Sequence, residues 1–350
     1  MVYQFQPLES ARWSEFLERQ RRASVFHTIG WLQALQHTYG YEPVVYTTSP
    51  PGSILENGIV ACRVNSWLTG SRLVSVPFAD HCEPLVNDPT DLEAFFPFFT
   101  EELRRENLRY VELRPLHSLE SQPPLCRSTR AYCFHQLDLS PDGDTLFRNF
   151  HKDSTQRKIL RAQREGLGYE EGQSEAFLNT FYGLFVLTRQ RHHIPPPPKS
   201  WFRNLIQFFP GKLKIRVARK GQCPVASILT IRYKDTLVYK YGGSDPQFHN
   251  LGGVHLLFWK SIQEAKQEGL HTLDLGRSDL EDAGLITFKN RWGANRSELT
   301  YSRYISSTNS KGRFRSDSRD WKRRIGGTII ARLPQNILAG VGTFLYKHVG

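Results

Sequence analysis

The sequence has few of the features of a membrane-spanning or disulfide-bonded protein. It contains no run of about 20 consecutive apolar residues, which excludes a transmembrane helix, and its first residues lack the basic-then-apolar pattern of a secretory signal. The cysteines are odd in number and widely spaced without a C-x-x-C pair, so neither a disulfide framework nor a thiolate zinc site is indicated. We therefore expect a cytoplasmic protein with reduced core cysteines. These are Cys62, Cys82, Cys126, Cys133 and Cys223.

Acidic residues are in the minority, and the positive excess lies mostly at one end of the chain. The 350 residues include 46 Lys and Arg against 34 Asp and Glu, for a formal net charge of +12. Residues 306–350 hold nine of the basic residues and only two of the acidic ones, Asp317 and Asp320. The rest of the chain is thus mildly basic and carries no nucleic-acid motif, so a nucleic-acid binder ranks last and DNA is not expected as a partner.

The hydropathy pattern predicts an α/β organisation. Segments of helical and of strand periodicity alternate in the first half. The turn-forming residues Ser140-Pro141-Asp142-Gly143-Asp144 then mark the start of a new unit. We expect domains at 1–145 and 146–305 and a tail at 306–350. The helices expected in the first half are 10–22, 28–38 and 90–106, and the strands are 43–48, 57–64, 71–76, 108–113 and 133–139.

The second half has a more specific order of elements. Strands at 213–219, 223–233 and 236–242 are expected to be antiparallel, with Lys234-Asp235 forming a tight hairpin between the last two. A glycine turn, a helix at 253–268 and a strand from His271 to Leu275 follow. This is the connectivity of a GNAT-type acyltransferase core, although several α+β folds share it.

Four motifs carry a resemblance to a known family. They are Phe26 to Trp31, Lys152 to Ala162, Tyr239 to Ser244, and Gly276-Arg277-Ser278-Asp279 with Gly284 to Ala294. In this order they resemble the FemABX-like family, whose members transfer an acyl or aminoacyl group to an amine. The resemblance implies an α/β (α+β) fold of two tandem GNAT-like domains with mixed sheets, here followed by a basic amphipathic tail.

The resemblance places Lys289 near the reacting centre. Aromatic neighbours Phe288 and Trp292 can bury its stem, and a fixed cation would stabilise the oxyanion that forms during transfer to an amine. A structural lysine at a strand end is the alternative. Tyr241 is expected to line the same pocket, and the proton is removed by substrate, by water or by a side chain such as Asp279.

Basic residues supply candidate substrate contacts. Arg157, Arg161 and Arg164 share one helical face, which suits phosphates of a nucleotide, a lipid-linked pyrophosphate or tRNA, although a solvated helix face is the alternative. The resemblance implies acceptor contacts at Arg191 and His192, for which capping of a helix end is the alternative. It also implies substrate contacts at Lys152, Trp31 and Arg277.

The glycine turn is a candidate anion site. Asn250, Gly252 and Gly253 stand where a GNAT fold binds the donor's pyrophosphate on free backbone N–H groups. His249 and Val254 depart from the usual acetyl-CoA pattern, so the turn can equally be a plain helix entry. We expect no tightly bound cofactor and no metal, with acyl-CoA or aminoacyl-tRNA as the donor substrate.

These observations predict an acyl or aminoacyl N-transferase acting on a cell-envelope precursor related to polysaccharide or peptidoglycan. The alternative is a catalytically silent GNAT-like binding module of an envelope glycan assembly complex. In the tail, apolar residues recur at helical spacing behind a basic cluster, which predicts a peripheral anchor on the anionic inner face of the cytoplasmic membrane. A helix packed back on the body is the alternative. The apolar positions are Ile330, Leu333, Ile337, Val341 and Phe344.

Overall fold

The computed structural model of the chain describes residues 1–117, 126–305 and 335–350. These residues form two compact units. The first contains 1–117, 126–132, 298–305 and 344–350, and the second contains 133–297 and 335–343. The expected domain limits at 145 and 305 stay a prediction.

The elements are numbered in chain order. The strands are β1 (Tyr3–Phe5), β2 (Glu42–Thr47), β3 (Ile59–Val64), β4 (Arg72–Val74), β5 (Val111–Leu113), β6 (Cys126–Asp138), β7 (Gly168–Gly172), β8 (Leu213–Lys220), β9 (Cys223–Tyr233), β10 (Thr236–Ser244), β11 (Thr272–Asp279) and β12 (Asn295–Tyr304). The helices are α1 (Ala11–Arg19), α2 (Ile29–Tyr39), α3 (Pro89–Glu93), α4 (Phe95–Arg105), α5 (Gly143–Asn149), α6 (Arg157–Arg164), α7 (Glu175–Arg191), α8 (Lys199–Phe208), α9 (Gly253–Gln267), α10 (Ala283–Asn290) and α11 (Gln335–Val349).

The first unit is built on a mixed sheet. Strands β1 to β4 are joined antiparallel, the chain then crosses through α3 and α4, and β5 pairs parallel with β4 and antiparallel with β12. The helix expected over 90–106 is wrong in one respect, because it is two helices that meet at Ala94. A proline interrupts a helix interior, and restarting the helix at Phe95 places Pro97 in a first turn, where no hydrogen bond is lost.

The second unit repeats this connectivity. Strands β8, β9 and β10 are antiparallel, α9 crosses over, and β11 pairs parallel with β10, as the sequence predicted. Lys234 adopts a left-handed φ of 50° in the two-residue loop between β9 and β10, which confirms the tight hairpin. Strand β7 adds to the free side of β8. The chain therefore has two GNAT-like units in tandem.

Three of the cysteines are core residues, as predicted. Cys62, Cys82 and Cys133 are buried, and burial raises the pKa of the Cys82 thiol to about 12, so it stays protonated. Cys223 is exposed at the first position of β9, and its assignment to the core is wrong. A strand end reaches the solvent although its interior is buried.

Helix α11 packs on the protein with one face only. Leu338 is fully buried and His348 nearly so, whereas Ile337 and Phe344 are 53% and 52% exposed. The expected apolar stripe is thus open at these two positions, while a different face makes the packing contacts. Ile330 and Leu333 lie outside the described residues. In the part of the chain that the structure covers, no helix combines the length and the apolar character needed to cross a membrane.

Candidate active site

Strands β10 and β11 separate within the second unit. Their parallel pairing runs only from Thr236–Thr272 to Val238–Asp274, although both strands continue for several residues. The register of β10 against β9 shifts between Tyr239 and Tyr241, which marks a bulge at the same level. Beyond this point, the backbone N–H and C=O groups of β10 and β11 no longer hydrogen-bond to each other.

Side chains satisfy the backbone of β11 where the pairing has ended. The carboxylate of Asp274 accepts a hydrogen bond from the Gly276 N–H at 2.6 Å. The Lys289 ammonium donates to the carbonyl oxygens of Gly276 at 2.8 Å and of Arg277 at 3.0 Å. Gly276 has a left-handed φ of 70°, which breaks the strand alternation and turns both carbonyls toward the same cation. The structure therefore fixes a buried positive charge at the separation of the strands.

Lys289 is held in place by the helix that carries it. It lies in α10, whose first turn is capped by the Asp282 carboxylate, and not at a strand end as the alternative interpretation had it. Only 2% of Lys289 is exposed, and the next residue, Asn290, contacts the His135 imidazole at 2.9 Å through its side-chain oxygen. The ammonium is consequently buried, oriented and hydrogen-bonded to carbonyls.

Helix α6 presents its cations to an open cavity of about 800 Å³. Ile159 and Ala162 are buried on one side of the helix, so the charged residues project on the other. The predicted strip of arginines is confirmed in its geometry. The cavity is lined by Arg157, Lys158, Arg161, Arg164, Glu165 and Asn250.

The cavity is strongly electropositive. Burial, with Arg291 and Arg157 nearby, lowers the pKa of Lys158. Burial, with Lys158 and Arg291 nearby, also lowers the pKa of His255 to about 3, so this imidazole is neutral near pH 7. The lining brings four positively charged side chains together with one acidic residue, Glu165. A bound phosphate would therefore reduce the repulsion among the cations.

The glycine turn joins β10 to α9 beside this cavity. Gly252 caps α9 with a left-handed φ of 81°, and a Cβ on it would clash with the backbone carbonyl oxygen of Lys158. A Cβ on Gly253 would lie 3.0 Å from a methyl group of Val225. Close approach of α6 and β9 thus accounts for both glycines, while pyrophosphate binding by the turn stays a prediction.

Arg191 and His249 meet at the end of β10. The Arg191 guanidinium contacts Nε2 of His249 at 3.0 Å, and the Ser244 hydroxyl contacts the same nitrogen at 2.9 Å. Burial, with Arg191 nearby, lowers the pKa values of both His249 and His192. Sequence spacing does not predict the contact between His249 and Arg191, because the two residues are 58 positions apart.

The remaining predicted residues are dispersed. Tyr241 accepts a hydrogen bond from Trp201 Nε1 at 2.9 Å and packs between rings of α7 and α8, whereas Lys289 is anchored on β11. Trp31 is fully buried against Phe26 in the core of the first unit, so its role as a direct substrate contact is wrong. Lys152 and Asp279 are exposed, on the turn before α6 and at the end of β11.

No cluster of three or more His, Cys, Asp or Glu side chains suited to a metal ion occurs among the described residues.

Comparisons with known proteins agree with this geometry. A family model described as an acetyltransferase (GNAT) domain matches residues 150–289. A curated relative from Weissella viridescens, UDP-N-acetylmuramoylpentapeptide-lysine N(6)-alanyltransferase, is 22% identical over 311 residues, covering 81% of this chain and 89% of the relative.

The GNAT domain and the alanyltransferase relative together support an acyltransferase that is similar to the FemABX-like family.

Solved structures show the same fold. The crystal structure of FemX is similar with a TM-score of 0.67 at 13% identity, over 85% of this chain and 96% of FemX. A tandem GNAT protein from the clavulanic acid biosynthesis pathway is similar with a TM-score of 0.53 at 9% identity, over 87% of this chain and 98% of that one. Both similarities support a fold of two GNAT-like units.

Proposed function

We propose that this acyltransferase moves an activated acyl or aminoacyl group onto an amine of a cell-envelope precursor related to peptidoglycan or polysaccharide. The observation that carries the proposal is the buried Lys289 ammonium at the separation of β10 and β11, with a cationic cavity in the same unit. The name of the curated relative supports an amine acceptor on a cell-wall precursor. We place the enzyme at the inner face of the cytoplasmic membrane, where such precursors are assembled on lipid.

The transfer needs one nucleophilic attack, the removal of one proton from the amine and the addition of one proton to the leaving group. The amine nitrogen of the acceptor attacks the acyl carbonyl carbon, a C–N bond forms, and the C–O bond of an ester or the C–S bond of a thioester breaks. Lys289 stabilises the oxyanion of the tetrahedral intermediate, because a fixed buried cation interacts more strongly with developing charge than water does. The amine's proton passes to Asp279 or to water, and the leaving group gains a proton in turn.

The cationic cavity binds phosphate groups of the substrates. Arg157, Arg161 and Asn250 line it, and Lys152 and Arg277 are further proposed contacts. The donor is acyl-CoA or aminoacyl-tRNA, both of which carry phosphates. Because α6 approaches the glycine turn so closely, we assign the phosphates to the side chains of α6 in addition to the amides of Gly252 and Gly253.

The acceptor lies toward the end of α7. Arg191 is a cation, and His192 and His249 are neutral donors or acceptors because their pKa values are lowered. This combination suits a carboxylate or phosphate flanked by neutral polar groups. Tyr241 lines the same side of β10, where its hydroxyl is oriented by Trp201.

The test is transfer by the purified full chain, followed by mass spectrometry. The acceptor is the UDP-linked muramoyl pentapeptide, and the donors are alanyl-tRNA and acetyl-CoA in separate reactions. We expect an alanyl or an acetyl mass increment on the acceptor. Binding of the acceptor without turnover from either donor would contradict the proposal and favour the silent binding module.

A matched pair of lysine variants tests the chemistry. Lys266, in α9, also donates to backbone carbonyls, those of Leu139 and Pro141. Leu139 is hydrogen-bonded to His271, just before β11, so the Lys266 ammonium lies near the start of that strand and not at its separation from β10. Lys289→Met should lower kcat by about 100-fold, since one oxyanion-stabilising donor has that effect. Lys266→Met should leave kcat within a few-fold of the parent. Equal losses of kcat, with equal losses of stability, would show that Lys289 is structural.

A further inference from the structure

Large apolar side chains are exposed together on the first unit. Trp67 and Leu68, at the tip of the β3–β4 turn, are 80% and 49% exposed, and Phe344 of α11 is 52% exposed. The Trp67 and Phe344 rings are neighbours, with centroids 6.5 Å apart. Single exposed apolar residues are common, but a tryptophan this exposed beside a second aromatic ring indicates a surface that binds a membrane or another molecule. We call these three residues the aromatic patch.

Hydrogen bonds hold the residues of the aromatic patch in place. The Ser66 hydroxyl contacts Nδ1 of His348 at 2.9 Å, and the Thr69 hydroxyl donates to the His348 carbonyl at 2.7 Å. The buried Arg72 guanidinium donates to the same carbonyl at 2.7 Å. Because these bonds join the turn to the end of α11, Trp67 and Phe344 keep their exposed positions side by side.

The surroundings of the aromatic patch are positively charged. Neither the turn at residues 64–72 nor the helix at 335–350 contains an Asp or Glu. Arg109 is exposed and donates to the carbonyl of Thr69, and Lys347 is exposed one turn after Phe344. Cations around amphipathic aromatic rings complement a bilayer of anionic lipids.

We propose that the aromatic patch docks this protein on an anionic bilayer, with Trp67 and Phe344 inserted at the depth of the lipid headgroups. The proposal rests on, and extends, the peripheral membrane location of the proposed function. A second copy of the chain is a poorer occupant, because a two-fold contact would bring the cations of each patch against one another. Lipid phosphates carry the opposite charge.

Vesicle flotation of the full chain tests this surface. The vesicles contain either phosphatidylcholine alone or phosphatidylcholine with phosphatidylglycerol. We expect binding to the anionic vesicles only, and a loss of about ten-fold in partitioning for each of Trp67→Ala and Phe344→Ala, as expected for withdrawing one aromatic side chain from an apolar environment. Trp67→Tyr should retain most of the binding, because tyrosine is also amphipathic.

Ile54→Ala is the matched control, since Ile54 is an apolar residue of the same unit, 72% exposed and outside the aromatic patch. It should partition like the parent. Partitioning of the Trp67→Ala/Phe344→Ala double variant equal to that of the parent would overturn the proposal. A parent dimer that the double variant converts to monomer would also overturn it, in favour of self-association. Transfer to the soluble acceptor, measured without vesicles, should be unchanged in the double variant, so a failure of the proposed function is seen separately.

Discussion

Two glycines at opposite ends of α9 provide a controlled measure of how closely α6 approaches the glycine turn. Gly252 and Gly269 both have left-handed φ values, 81° and 74°. A Cβ added to Gly269 would meet nothing within 4 Å, whereas one added to Gly252 would clash with the carbonyl oxygen of Lys158. The two alanine variants therefore share the backbone strain and differ in the clash.

The expected magnitudes follow from this difference. An alanine in the left-handed region costs about 1–2 kcal/mol, which applies to both variants. Overpacking against a backbone group, which cannot rotate away, adds about 1–3 kcal/mol for Gly252→Ala alone. We expect Gly269→Ala to lower the free energy of unfolding by about 1–2 kcal/mol and Gly252→Ala to lower it by about 2–5 kcal/mol.

Urea unfolding measures the stability, and binding of inorganic pyrophosphate measures the cavity. Since α6 carries Arg157, Lys158, Arg161 and Arg164, its displacement by the new methyl group should weaken pyrophosphate binding in Gly252→Ala and not in Gly269→Ala. Equal destabilisation of the two variants, with unchanged pyrophosphate binding, would refute the close approach of α6 to the turn.

Two further predictions concern buried charge. The Glu112 carboxylate is buried between Arg114 at 2.8 Å and Arg303 at 2.6 Å. Burial raises the pKa of Glu112, but the two arginines outweigh this effect and lower the pKa to about 2. Glu112→Gln should therefore lower the free energy of unfolding in urea by about 3–5 kcal/mol, and a loss below about 1 kcal/mol would contradict the pairing. His255 has its pKa lowered to about 3 from 6.5, so the unfolded chain binds a proton there that the folded chain does not, and stability should fall as the pH drops from about 6.5 toward 3. His255→Phe should flatten this decline above pH 4.5, and an unchanged pH profile would contradict the burial of the imidazole.

The sequence by itself was sufficient to predict the central strands and the crossover helix of the second unit. Alternating apolar residues locate β8, β9 and β10, and the two residues Lys234-Asp235 leave room only for a tight hairpin. The spacing of Arg157, Arg161 and Arg164 places them on one helix face whatever that face meets. These features depend on local periodicity, which the chain carries in its own order of residues.

Only the tertiary structure decided what the candidate residues contact. Lys289 is bonded to carbonyls of β11 and Arg191 to His249, and these partners are distant in sequence. Trp31 lies in a motif of the family yet is buried in the core, and sequence spacing does not report which side of α2 faces the sheet. The exposure of Trp67 depends likewise on its support by the end of α11. Periodicity determines the helix or strand to which a residue belongs. Its burial and its side-chain partners are determined only when separate helices and strands pack together.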